Sequence, residues 1–256
     1  MILNKIYCEN CLDTMAKMPD RFIDLTVTSP PYDNLRDYKG YTFDFEAIAK
    51  ELYRVTKIGG VVVWVVNDAT INGNETGTSF KQALYFKEIG FNLHDTMIFL
   101  SDKPPENAIR YQASFEFMFI FSKGKPKTFN PIKEQSLHFG RKNKTATYYK
   151  KDGTKKLRHQ GDIKQYKIKS NVWKYQTGKD GLHPATFPEQ LAADHIYTWS
   201  NENDLIYDCF GGSGTVAKIA HLQKRNWILS EISSEYCDIS QKRIQPYLDQ
   251  QTIKFE

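Results

Sequence analysis

No apolar run in these 256 residues approaches the roughly 18 needed to cross a bilayer. The opening MILNKIYCEN lacks the layout of a secretion signal. These two absences predict a cytoplasmic protein with no membrane partner. Cysteine is scarce as well: the four, at positions 8, 11, 209 and 237, cannot staple a chain of this size. Cys8 and Cys11 form a CxxC, yet no second Cys or His pair stands at zinc spacing. No metal site is expected, and the two read as buried thiols at a strand end. Low complexity and internal repeats are also missing.

What is present suffices for one large domain, or one domain carrying a sizeable insertion. The chain is 40% apolar and 14% aromatic, enough for a core. Its net charge of +5 hides an asymmetry. Residues 123–179 hold 17 Lys or Arg against 3 Asp or Glu, and the remainder holds 18 against 27. A lysine-rich stretch is often a solvated surface. This one interleaves Phe129, Phe139, Tyr148, Tyr149, Tyr166, Trp173 and Tyr175, and basic groups neutralise phosphates while flat rings stack on bases or anchor a small subdomain. Nucleic acid is the expected partner.

Residues 1–122 alternate between strand and helix patterns. Strands are expected at Ile2–Cys8, Phe22–Thr28, Val61–Val66, 94–100 and 115–123, and helices near 11–17, at 45–55 and at 79–89. KIGG (57–60) reads as a helix stop, with glycines where a positive φ is needed. After the basic segment the rhythm resumes: a helix entered through prolines within 183–199, then a strand at 204–208, a helix at 213–223, a strand at 226–232 and a final helix. This predicts an α/β protein with a Rossmann-like, mostly parallel sheet covered by helices on both faces. Residues 1–122 and 180–256 form the main domain, and 123–179 is an inserted basic region.

Two short stretches carry the chemistry. TSPPYDN (28–34) ends a buried strand with two prolines, which cannot donate to a sheet ladder. It is either a plain loop or a rigid corner that fixes Ser29 and Tyr32. DLIYDCFGGSGT (204–215) is strand, glycine loop, helix, in which glycines let a ligand approach the backbone. The loop has neither the GK[ST] of a phosphate-binding P-loop nor a GxGxxG. Glu231 follows roughly 20 residues later, where an acidic side chain can take both hydroxyls of a ribose. A nucleoside-type ligand fits this pattern, and so does an ordinary βα turn.

Together the pieces resemble the beta class of amino-group DNA methyltransferases, enzymes dependent on S-adenosylmethionine. SPPY comes first, the basic insertion next and an FxGxG loop near the C-terminus, a circularly permuted motif order. The likeness runs from ENC (9–11) through ELYRVTKIGGVVVW (51–64) and HPATFP (183–188) to SEISSEYCDISQKRI (230–244). It implies a cofactor site of Asp208, Phe210, Gly211, Gly212, Ser213 and Gly214, with Glu231 as the ribose clamp. His183, Pro184, Ala185 and Phe187 would close over the methionine end. Asn10 stands where the family usually has Asp near the adenine, and Cys209 replaces the usual proline of DPF.

The resemblance implies a catalytic corner of Ser29, Pro30, Pro31 and Tyr32. An exocyclic amine conjugated to a base is a weak nucleophile, and rigid acceptors at Ser29 and the Pro30 carbonyl would hold its protons at a fixed angle. Tyr32 would stack on a flipped base. No cysteine follows a proline, which excludes the ring-carbon cytosine reaction. In this family SPPY goes with the N4 amine of cytosine, and the alternative is the N6 amine of adenine. The expected substrate is double-stranded DNA, held by Arg141, Lys142, Lys144, Lys150, Lys151, Lys155, Lys156 and Arg158 of the target-recognition region. The expected setting is restriction–modification, with room for a cognate endonuclease and a homodimer. Readings of other classes are a catalytically silent DNA-binding protein, an RNA or protein methyltransferase and a nicotinamide oxidoreductase, the last weakened by the missing GxGxxG.

Overall fold

The computed structural model describes residues 1–31, 43–100, 111–141, 146–158, 163–175 and 188–250. The chain divides into two compact units, residues 1–130 with 171–256 and residues 131–170. The basic unit is therefore narrower than the expected 123–179. Lys123 lies buried with its ammonium on the Tyr53 carbonyl at 2.5 Å, and residues 172–174 pair into the large sheet, so both flanks belong to the main unit.

In chain order the main unit runs β1 (Lys5–Cys8), α1 (Cys11–Ala16), β2 (Ile23–Thr28), α2 (Phe45–Val55), β3 (Thr56–Val66), β4 (Thr70–Ile71), β5 (Asn74–Glu75), α3 (Thr78–Glu88), β6 (Asn92–Leu100) and β7 (Phe115–Ser122). The small unit holds β8 (Lys133–Gln135), β9 (Ala146–Tyr149), β10 (Lys155–Arg158) and β11 (Tyr166–Ile168). The main unit then returns with β12 (Val172–Lys174), α4 (Glu189–Trp199), β13 (Leu205–Asp208), α5 (Thr215–Leu222), β14 (Asn226–Glu231) and α6 (Ser234–Gln250).

Eight strands form one sheet in the order β1-β14-β13-β2-β3-β7-β6-β12. Every pairing is parallel except those of β7 with its two neighbours. The alternation of side chains explains the two cores. Val62, Trp64 and Val66 of β3 join Phe119, Phe121 and Tyr207 beneath α1, α2 and α3. Val61, Val63 and Val65 are just as buried on the opposite face. There α4 and α5 bring Leu191, Ile196, Val216 and Ala220, all buried. Each large side chain so buried stabilises the fold by roughly 1.5–3 kcal/mol.

KIGG does not stop a helix. The second helix ends at Val55, and KIGG opens β3, where pairing with β2 jumps from Ile23↔Thr56 to Leu25↔Val61. Gly59 takes φ +82°, and a Cβ there would lie 2.9 Å from that of Lys127. The glycines admit neighbouring backbone to a bulge, a use that helix-stop signals do not reveal. The first strand is also shorter than expected, starting at Lys5 rather than Ile2. Of the CxxC pair only Cys11 is buried; Cys8 is exposed.

The sheet order also places the site. From β2 the chain crosses to β3 on one side, and from β13 it crosses to β14 on the other. The connections diverge between β2 and β13. The carboxyl ends of two such strands frame the crevice where doubly wound sheets hold ligands.

Candidate cofactor and active site

Two segments 180 residues apart meet in that crevice. The hydroxyl of Thr28, the last residue of β2, donates to Oδ1 of Asp208, the last residue of β13, at 2.7 Å. The backbone N–H of Phe210 donates to the same oxygen at 3.1 Å. The SPP corner and the glycine loop are thus tied at their roots. Ser29 and Pro31 are half-buried and Pro30 is buried. Tyr32, like His183, Pro184, Ala185 and Phe187, lies outside the described residues.

The glycine loop is shaped by steric necessity. A Cβ on Gly211 would fall 2.1 Å from Cδ2 of Leu229, so only glycine lets the loop lie against β14. Gly212 and Gly214 take φ +49° and +78°, where glycine carries no penalty. The loop amides are already engaged. Gly211 N–H donates to the Ser230 carbonyl at 2.8 Å, Gly212 N–H to Oε2 of Glu231 at 2.8 Å, and Gly214 N–H to the Gly211 carbonyl at 2.8 Å. A phosphate cradle needs free amides and a lysine, and this loop presents neither among those residues.

It presents carboxyl groups instead. Asp208 is buried, and burial pushes its carboxyl up to about 7 despite the bonds from Thr28 and Phe210. Glu231 is also raised by burial, while the amides of Ser233 and Gly212 partly offset this. Its two oxygens are each oriented by one amide, Ser233 N–H reaching Oε1 at 2.8 Å. Both acids gain from a cation nearby, and a carboxylate held at both oxygens suits a vicinal diol. Phe210 presents a half-buried ring among Phe43 and Trp64, with centroids at 5.6 and 6.2 Å. Asn10 caps α1, its Oδ1 accepting from Leu12 N–H at 2.9 Å.

Several supports carry no sequence motif. Arg243 of α6 donates to Oγ of Ser213 at 2.8 Å and to Glu189 at 2.7 Å, and Ser240 donates to the Gly212 carbonyl at 2.6 Å. Sequence reasoning does not single out Thr28, Leu229, Ser240 and Arg243, because their role lies in contacts across the fold. Burial disfavours the thiolate form of the buried cysteines. Desolvation pushes Cys11 to about 12, and it raises Cys209 and Cys237 as well. Among the described residues no cluster of His, Cys, Asp and Glu could hold a metal ion, and no helix is long and apolar enough to cross a membrane.

The expected DNA contacts fall in the small unit. Arg141, Lys150, Lys151, Lys155 and Lys156 are exposed. Lys142 and Lys144 lie outside the described residues, and Arg158 is placed only as the last residue of β10.

At the switch point of a doubly wound sheet, the glycine loop and the proline corner lie side by side, where such sheets hold ligands. Comparison with known proteins supplies the class. The DNA methylase family of N6 and N4 methyltransferases matches residues 23–242. The orphan methyltransferase M.BamHII of Bacillus amyloliquefaciens is 54% identical over 243 residues, covering 90% of this chain and 91% of that protein. The type II methyltransferase M.BglII of Bacillus subtilis is 26% identical, over 93% of this chain and 68% of its own. Among solved structures, PvuII DNA methyltransferase (cytosine-N4-specific) shares the fold with a TM-score of 0.69 at 19% identity, covering 96% of this chain and 91% of that one. A DNA modification methylase of Thermus thermophilus, solved with S-adenosyl-L-methionine, gives 0.66 at 18%, covering 95% and 93%. The chain belongs to the N6/N4 DNA methylase family, whose cofactor is S-adenosyl-L-methionine.

Proposed function

We propose that this protein transfers a methyl group from S-adenosyl-L-methionine to the N4 amine of cytosine in duplex DNA. The observation that carries the reading is the Thr28–Asp208 bond, which fastens the Ser-Pro-Pro corner to the cofactor loop. Asp208, Phe210, Gly211, Gly212, Ser213, Gly214, Glu231 and Asn10 would hold the cofactor. When bound it supplies a methyl group on an electron-poor sulfonium.

The chain's own residues have two tasks. Ser29 Oγ and the Pro30 carbonyl accept hydrogen bonds from the amine N–H groups, which draws the nitrogen lone pair out of conjugation with the ring. Proline at 30 and 31 keeps those acceptors from rearranging, so little reorganisation accompanies transfer. Tyr32 stacks on the target base, which must leave the duplex for its amine to reach the crevice. His183, Pro184, Ala185 and Phe187 would cover the methionine end of the cofactor. No thiol takes part, in keeping with three thiols raised by burial.

Ser29 supports cytosine over adenine, by the family's association of a leading serine with that amine. The basic unit, with Lys142, Lys144 and Arg158 included, supplies the DNA surface. The 54% identical relative is named an orphan, which favours a methyltransferase working without a cognate endonuclease over the restriction pairing first expected.

Mass spectrometry of nucleosides from duplex DNA treated with the protein and cofactor tests the proposal. N4-methylcytosine is expected. N6-methyladenine would retain the mechanism and overturn the reading of Ser29. Neither product would leave a silent DNA binder.

A further inference from the structure

The small unit contains a surface that no packing requirement explains. Among its described residues 131–170 no side chain is buried. Yet β9 and β10 form a regular antiparallel hairpin, with Tyr149 opposite Lys155, Tyr148 opposite Lys156 and Thr147 opposite Leu157. Its turn is specified in detail. Gly153 takes φ +79°, Lys150 N–H donates to the Thr154 carbonyl at 2.9 Å, and Oδ1 of Asp152 accepts from Thr154 N–H at 2.9 Å and from its hydroxyl at 2.6 Å.

A two-stranded ribbon without a covered face is marginal in water. This one exposes Tyr148 by 45%, Tyr149 by 68% and Leu157 by 61%. The 40 residues around it hold twelve Lys or Arg against three Asp or Glu, a net +9. Cations alone would serve a phosphate backbone. An exposed leucine gains nothing from phosphate.

Register sorts the chemistry onto two faces. Thr147, Tyr149, Lys155 and Leu157 share one, and Tyr148 and Lys156 share the other. On the first face Lys155 Nζ sits 5.5 Å from the Tyr149 ring centre, towards the turn, where Lys150 and Lys151 add further charge. Thr147 and Leu157 form the pair beyond it. A methyl, a hydroxyl and an isobutyl group, flanked by cations, suit the thymine methyl and the polar base edges of the major groove. That groove, about 12 Å wide, admits a two-stranded ribbon.

We infer that the β9–β10 hairpin enters the DNA major groove, with Thr147 and Leu157 reading base edges and Lys150 and Lys151 holding phosphates. The inference rests on the DNA-methylation reading above. The hairpin sets which sequence is methylated, and the turn lysines set how tightly any duplex is held.

The test is methylation of a duplex library randomised around the preferred site, sequenced for modified bases at several salt concentrations. Thr147→Ala and Leu157→Ala should each lose about tenfold discrimination at one or two base pairs, with the salt slope unchanged. The double variant Lys150→Ala/Lys151→Ala should weaken methylation of all sequences alike and lower the salt slope by about two. Cofactor binding by calorimetry checks the fold, and Thr147→Val with Leu157→Ser repeats the test should either alanine variant fail that check. Unchanged sequence preference in the Thr147 and Leu157 variants would overturn the inference while leaving the enzyme's function intact. So would a changed preference in the lysine variant. A wild-type protein that methylates nothing in the library would overturn the function and the inference together.

Discussion

Asp208 couples the chemistry of the site to pH. Burial raises its carboxyl to about 7, so the ligand-free protein carries it largely protonated below neutrality. S-adenosyl-L-methionine is a cation and favours the ionised form. Affinity should therefore rise with pH, by roughly eightfold between pH 6 and 7.5, and Asp208→Asn should flatten that dependence in a calorimetric titration. Stability of the ligand-free protein moves the other way. A raised carboxyl favours the fold below its ordinary range near 4, and that contribution is lost as pH rises through about 7. Wild type minus Asp208→Asn, compared by urea unfolding at pH 4.5 and 8, should show that sign. Gly211 makes a steric prediction. Gly211→Ala puts a methyl 2.1 Å from Leu229 and should cost about 1–3 kcal/mol. Leu229→Ala in the same chain should cost less than the sum of the two single changes, because it vacates the space.

Three helices meet at Glu189. In the first turn of α4 it accepts from Lys218 of α5 at 2.7 Å and from Arg243 of α6 at 2.7 Å, and Arg243 continues to the Ser213 hydroxyl. Burial alone would raise the Glu189 carboxyl, but the bonds from Lys218 and Arg243 outweigh it and hold the group below its usual range. Its stabilising contribution is present above the ordinary carboxylate range and fades as pH falls through the lowered value. Glu189 is partly exposed and screened by solvent, so Glu189→Gln should cost only about 0.5–1 kcal/mol in urea unfolding, and it should weaken cofactor binding through a looser Ser213. The corner at the end of β2 makes the opposite prediction. Ser29→Ala should cut turnover at least tenfold while changing the cofactor dissociation constant less than threefold. Lost cofactor binding in that variant would place Ser29 in the wrong part of the crevice.

At the scale of the molecule, charge is segregated. The net +9 of residues 131–170 stands against a remainder of 23 Lys or Arg and 27 Asp or Glu, a net −4. Both junctions with the main unit are fastened within it. Asn130 reaches the Tyr197 carbonyl at 3.0 Å, and Asn171 reaches Oδ1 of Asp95 at 3.2 Å. Replacing residues 131–170 by a flexible linker should leave cofactor affinity within about twofold and remove most DNA affinity, measured by calorimetry and by fluorescence anisotropy. Lys155→Ala in the whole protein should weaken binding to all duplexes similarly.

Much of this is legible along the chain because the signals are local. Apolar runs such as VVVWVV, rich in β-branched residues and preceded by Gly-Gly, read as buried strands, two prolines end a ladder wherever they stand, and Gly-Gly-Ser-Gly after Asp208 marks a turn that side chains would block. The beta-class likeness rests on such stretches and their order. Other features depend on which strands become neighbours. KIGG reads as a helix stop, yet its glycines answer to the crowding of Lys127 and Asp24, distant in sequence. Glu189, Arg243 and Thr28 carry no motif, since an ion pair or a hydrogen bond across 28 to 180 residues leaves no periodic trace. The residue types, and hence the kind of chemistry, were set by the sequence itself. Only the fold placed β13 beside β2, because burying two apolar faces of one sheet decides strand order, and that order joins the proline corner to the glycine loop.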